Sequence, residues 1–157
     1  MNKELKNIET INHFVSLVEC DKFIVTGSHV LHLNGLVDKV GDLDVVLVGA
    51  TEESIEMLRR LEKDGKYAII ESNKDYPNQA TIIRIEYLGL KIDFFLDTVG
   101  EAQTQIKLDK FYIATVSSII AAKKSYGRLK DWIQLRKMAK GIHDETLFQK
   151  YLDTSVN

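Results

Sequence analysis

Cysteine is the first thing this chain is short of. Cys20 stands alone, which excludes an internal disulfide framework and any cysteine-rich zinc site. Proline is as scarce, with Pro77 the single example. No apolar run approaches the roughly 20 residues that a membrane span needs. The opening residues, MNKELKNIET, lack the apolar stretch of a secretory leader. Internal repeats and low-complexity tracts are missing too. These absences set the expectation of a reduced, cytoplasmic protein with no membrane partner.

What is present is 157 residues, 45% hydrophobic and 28% charged, the make-up of a soluble globular protein. A chain of this size buries roughly 70% of its extended surface. The expectation is a single domain over 1–157, with a sheet-containing core at about 1–100 and a helical tail at about 107–157. The net charge is −2, yet Lys107 to Lys140 holds nine basic residues against Asp109 and Asp131. A basic block attracts phosphates, but it is as readily a solvated helix face.

Hydrophobic spacing divides the chain. Leu5, Ile8, Ile11, Phe14, Val15 and Val18 recur at a helical period. Lys22 to Thr26 is short, β-branched and aromatic, as a strand should be, and Gly27-Ser28 ends it ahead of a short helix at 29–34. Leu43, Val45 and Leu47 alternate with Asp42, Asp44, Val46 and Val48, the two-residue period of a strand with both aspartates at its start on one face. Thr51 suits the N-cap of a helix carrying Ile55, Leu58 and Leu61. Tyr67 to Glu71, Thr81 to Tyr87 and Leu90 to Leu96 read as strands, the last two joined by Leu88-Gly89 as a hairpin. Beyond Gly100 the pattern predicts helices at about 112–125, 128–140 and 144–152. An α/β (α+β) mixed sheet with flanking helices and a C-terminal helical tail is the expected architecture.

Three carboxylates, Asp42, Asp44 and Asp93, sit among strand-forming neighbours, where ordinary core would exclude them. Unpaired carboxylates a few ångströms apart repel one another, and a hard divalent cation relieves the conflict. Mg²⁺ favours a few carboxylate oxygens together with water and phosphates. Upstream, Gly27 allows close backbone approach to a phosphate, while Ser28 and the start of a helix supply donors. Glu86 is a rival third acid. His29 and His32 have a spacing that suits a metal on a helix, but no cysteine or third histidine accompanies them locally. Trp132, Leu129, Ile133 and Met138 read as a packing face, and Lys130-Asp131 as a structural ion pair.

With these residues in place, the sequence resembles a nucleotidyltransferase of the DNA polymerase β superfamily. It is most similar to small bacterial and phage members related to abortive-infection toxins. Gly27-Ser28, Gly35 eight residues after Gly27, and Asp42-x-Asp44 fifteen residues after it carry the first match. Lys123, Gly127, Arg128, Lys130 and Asp131 in KKSYGRLKDW carry the second. The resemblance spans about Lys22 to Met138. It departs at Asp38 and Val40, where relatives commonly carry Arg and Thr, and at Gln134, where they carry Asp.

The resemblance implies a nucleotidyltransferase fold and transfer of a nucleoside monophosphate from an NTP to an acceptor hydroxyl, with pyrophosphate released. Asp42, Asp44 and Asp93 would be the catalytic and metal-holding residues, with Mg²⁺ or Mn²⁺ as cofactor. Gly27, Ser28, Lys123, Arg128 and Lys130 would contact the nucleotide. The acceptor is open among tRNA, a protein and a small molecule, and the oligomeric state is not legible. Two alternatives stand beside this reading: a non-catalytic nucleotide-binding or antitoxin-like regulatory relative, motivated by the departures, and an Asp-x-Asp glycosyltransferase, which would leave Gly27-Ser28 unexplained.

Overall fold

The computed structural model describes residues 4–61, 67–71, 81–96 and 105–141. Their elements run α1 (Ile8–Leu17), β1 (Lys22–Thr26), α2 (Ser28–Leu33), β2 (Leu43–Val48), α3 (Glu52–Arg60), β3 (Tyr67–Glu71), β4 (Thr81–Tyr87), β5 (Leu90–Leu96), β6 (Gln105–Leu108), β7 (Phe111–Ala114), α4 (Val116–Tyr126) and α5 (Leu129–Gly141). The strands form one seven-stranded mixed sheet in the order β3-β4-β5-β2-β1-β7-β6. β2 runs parallel to β5 and β1 parallel to β7, while the remaining neighbours are antiparallel.

Local chemistry accounts for many of the boundaries. Thr51 caps α3 by accepting the Ser54 backbone N–H at 3.1 Å, and Glu52 and Glu53 occupy the first turn, where negative charge is favoured. Leu88 and Gly89 both take positive φ, the two-residue turn whose twist suits a right-twisted hairpin. That turn fixes Tyr87 opposite Leu90 and, three pairs further on, Arg84 opposite Asp93.

The register lays the sheet out in lateral rows. Val25, Val45, Phe94 and Ile83 form one apolar row across β1, β2, β5 and β4. It is covered by α1, whose Phe14 ring lies 5.5 Å from that of Phe94 and 5.2 Å from that of Tyr87. Burying each such ring contributes about 1.5–3 kcal/mol. The adjacent row, on the opposite face, is polar: Thr26, Asp44, Asp93 and Arg84. Because paired residues of neighbouring strands share a face, these four side chains stand side by side.

The observed fold differs from the sequence expectation at three places. The helix expected from 112 begins at Val116, because Phe111–Ala114 is a strand parallel to β1 and β6 adds to it as a hairpin. Thr115 marks the true start, its extended backbone and its Oγ1, which accepts the Ser118 N–H, forming the cap. The stretch 105–114 is thus sheet rather than helical tail. Asp42 precedes β2 instead of lying in it, and it is exposed. Of the expected packing face on α5, Met138 is fully buried, whereas Leu129, Trp132 and Ile133 are exposed. The helix expected at 144–152 lies outside the described residues.

Candidate nucleotide site

β1 ends at Thr26, and Gly27 then turns the chain into α2. Gly27 has φ 70°, and a Cβ placed on it would meet Asp44 Oδ2 at 2.5 Å. Both facts demand glycine: an L side chain there would be strained and would strike the carboxylate. The backbone therefore passes directly over Asp44.

The tail reaches the same place from the other side. α4 ends at Gly127, whose left-handed conformation lets its N–H bond the Lys123 carbonyl at 2.9 Å, a glycine C-cap. The chain then reverses into α5. Asp131, almost fully buried, receives Arg128 Nε at 2.7 Å and Nη2 at 3.0 Å, and also the Arg128 backbone N–H at 3.1 Å. Lys123 Nζ lies 4.0 Å from its other oxygen. Burial alone would push the Asp131 carboxyl up, but the hydrogen bonds and charge of Arg128, with the charge of Lys123, hold it below the ordinary carboxylate range. Asp131 therefore remains an anion that fixes two cations. The ion pair expected between Lys130 and Asp131 is instead the pair of Arg128 with Asp131.

Between sheet and tail lies a cleft lined by Thr26, Gly27, Asp44, Phe95, Ile119, Ala122, Lys123, Tyr126 and Arg128. It has an acidic floor at Asp44, an apolar wall and a cationic rim, where the Arg128 guanidinium sits 5.1 Å from the centre of the Tyr126 ring. Of the residues selected from sequence, Gly27, Asp44, Lys123 and Arg128 converge here, and Asp93 is the direct strand neighbour of Asp44. The others do not line it. Ser28 accepts the Gly41 backbone N–H at 2.8 Å and so ties α2 to the loop before β2. Asp42 and Lys130 are exposed.

Asp93 itself is engaged. Arg84 donates Nε to Oδ1 at 2.6 Å and Nη2 to Oδ2 at 3.0 Å. Sequence reasoning missed Arg84, although the two-residue hairpin at 88–89 fixes its partner as Asp93 by simple register. The donor chemistry suits a hard divalent cation: oxygen only, with Asp44 and Asp93 in register and Asp42 two residues upstream. Yet no three acidic, imidazole or thiolate groups among the described residues stand together as a cation seat. Arg84 holds both oxygens of Asp93, and Asp42 lies outside the strand. The donors fit such a cation once the Arg84 contact is released.

The histidines of α2 have another character. His29 is fully buried, with Nε2 2.8 Å from Asn7 Nδ2. Burial and the neighbouring His32 lower its pKa to about 4, against a smaller opposing effect of the Asp42 backbone. His29 is a neutral core residue at physiological pH.

No protein-family model matches the chain, and no curated protein matches it. Among solved structures, the chain is similar to a Thermotoga maritima protein described as a "putative nucleotidyltransferase". The TM-score is 0.53 and the identity 15%, with 90% of this chain and 98% of that chain covered. At that identity the likeness is one of fold, and it agrees with the mixed-sheet nucleotidyltransferase fold expected from the sequence. No helix among the described residues is long and apolar enough to cross a membrane.

Proposed function

We propose that the cleft binds a nucleoside triphosphate and that the protein transfers the nucleoside monophosphate to an acceptor hydroxyl, as a member of the group related to abortive-infection toxins. The observation that carries this reading is the convergence of Gly27 and Asp44, from the sheet, with Lys123 and Arg128, from the tail, around one cleft. The sheet pair and the tail pair are more than 75 positions apart in sequence, and the cleft's mixture of acid, apolar wall and cation matches the parts of a nucleotide. Lys123 and Arg128 neutralise phosphate charge, Arg128 with a guanidinium whose orientation its two bonds to Asp131 fix. Gly27 offers its backbone at close approach. Phe95, Ile119 and Ala122 provide an apolar surface that excludes water. Asp131 keeps both cations aimed across the cleft.

Mg²⁺ or Mn²⁺, held by Asp44 and Asp93 with Asp42 nearby, would supply Lewis-acid neutralisation of the phosphate charge. Asp93 would orient the attacking hydroxyl beside Asp44 once the Arg84 contact is released. The acceptor class is tRNA, a protein hydroxyl or a small molecule.

Incubation with each α-labelled NTP, Mg²⁺, total tRNA and cell lysate tests the proposal, since the class of molecule that gains label identifies the acceptor. Asp44→Asn should cut transfer by about two orders of magnitude, roughly 3 kcal/mol in the barrier. Persistent NTP binding with no transfer to any acceptor would favour a non-catalytic nucleotide-binding protein. The observation in favour of that second reading is the ion pair that already occupies Asp93.

A further inference from the structure

We infer that Arg84 is a resident cation at Asp93, competing with the divalent ion for that carboxylate and setting how readily the ion loads. The inference rests on the nucleotidyl-transfer reading only for the use to which the ion is put. The competition itself arises from the polar row on the sheet.

In that row Asp93 stands between Asp44 on β2 and Arg84 on β4. Two carboxylates on paired positions repel each other, and in the buried setting of Asp93 little water screens them. A guanidinium bonded to both oxygens of Asp93 offsets that repulsion without any ion. It also occupies the oxygens from which an ion bridging Asp44 and Asp93 would draw a ligand, and it places a positive charge beside that ion.

The exposure of the two partners says which one yields. The Asp93 side chain is 3% exposed and that of Arg84 36%. Asp93 is fixed on a strand between buried Ile92 and buried Phe94. Arg84 reaches its partner on a long, flexible stem, with solvent beside it. An incoming divalent ion therefore leaves the carboxylate in place and turns the arginine outward. A hard ion needs one or two oxygens of Asp93, whereas the bidentate guanidinium engages both, leaving only their outer lone pairs and a positive charge beside the ion, so the two cations compete for one carboxylate.

The test is Mn²⁺ binding to the full-length protein, without nucleotide, followed by the electron paramagnetic resonance of unbound Mn²⁺. Arg84→Gln should bind Mn²⁺ about tenfold or more tightly than wild type. The gain should disappear in the Arg84→Gln, Asp93→Asn double variant. Affinity unchanged or lowered by Arg84→Gln, or a gain that survives Asp93→Asn, would overturn the competition. Should the variants fail to fold, the wild-type protein still decides. Its Arg84 Nε–H resonance should lose the position and slow exchange of a carboxylate-bonded donor as Mg²⁺ is added, and a resonance unmoved by Mg²⁺ up to saturation would overturn the proposal. These readouts are independent of turnover. Missing label transfer sinks the enzymatic reading alone, and a flat Mn²⁺ response in an active enzyme sinks the competition alone.

Discussion

Asp93 in β5 and Asp131 in α5 are both buried and both hold an arginine by two oxygens, but their surroundings differ. Asp131 receives a backbone N–H as well as the guanidinium of a residue only three positions away, with Lys123 close by. The Arg128 side chain is 17% exposed. The contact spans one helical turn and ties the first turn of α5 to the α4–α5 junction that presents the cleft's cations, so releasing it loosens that junction. Asp93 pairs with a side chain on the adjacent strand that is twice as exposed, and the backbone ladder between the two strands does not depend on the pair. One pair is a brace and the other a latch. A carboxylate buried with several donors, some of them backbone, is committed to structure. One buried with a single exchangeable side chain is available to chemistry.

The largest test of that contrast is Asp131→Asn. Removing one charge of a buried pair leaves its partners uncompensated, and the expected loss is about 4 kcal/mol of unfolding free energy in urea titrations. Nucleotide binding should weaken with it, because Lys123 and Arg128 lose their anchor. A loss below that of Asp93→Asn would reverse the assignment of brace and latch.

Acid separates the same regions along a different axis. His29, packed beside the sheet, has a folded pKa of about 4 against 6.5 when unfolded. The unfolded chain therefore binds more protons between these values. The stability from keeping His29 neutral is complete above 6.5 and is lost as pH falls toward 4, a loss of about 3 kcal/mol. Asp131 has its pKa held below 3.8, so its contribution persists through that window and is lost only at lower pH. Urea unfolding at a series of pH values should show the first slope in wild type and a flatter one in His29→Gln. An unchanged slope in that variant would remove His29 as its origin.

Asp93→Asn should give the smallest effect, about 1.5 kcal/mol, because the Arg84 side chain is partly exposed and keeps access to water when the carboxylate is lost. A chevron or urea series with an unchanged m-value would show that the sheet stays intact.

The strands carrying the polar row were legible in sequence because their β-branched and aromatic runs leave little choice, and Thr81–Tyr87 and Leu90–Leu96 appear with the expected bounds. The hairpin at 105–114 was not. Its turn is Asp109-Lys110, with Asp109 at φ 33°, and no glycine or Asn-Gly pair announces it. Its apolar residues flow directly into those of α4, so the tyrosine and isoleucine of β7 read as the first turn of a helix. The site shows a similar division. Gly27, Asp44, Lys123 and Arg128 were selected from motif spacing, and the structure gathers them at one cleft. Ser28, Asp42 and Lys130 came from the same spacing but do not line it. Spacing alone does not say that Ser28 accepts the Gly41 N–H outside the cleft lining, or that β2 starts only at Leu43. Arg84 was recoverable from hairpin register. Thr26 was not, because the β1–β2 register depends on how α2 and the following loop pack.

The central claim is that the cleft between Asp44 and the Lys123–Arg128 rim processes nucleoside triphosphates. Label transfer from α-labelled NTP by wild type and Asp44→Asn, purified in parallel and given the same Mg²⁺, tRNA and lysate, tests it most directly. The account predicts labelled acceptor from at least one NTP with wild type and about a hundredfold less with the variant. Equal labelling by the two proteins, or none by wild type with any NTP, would contradict it.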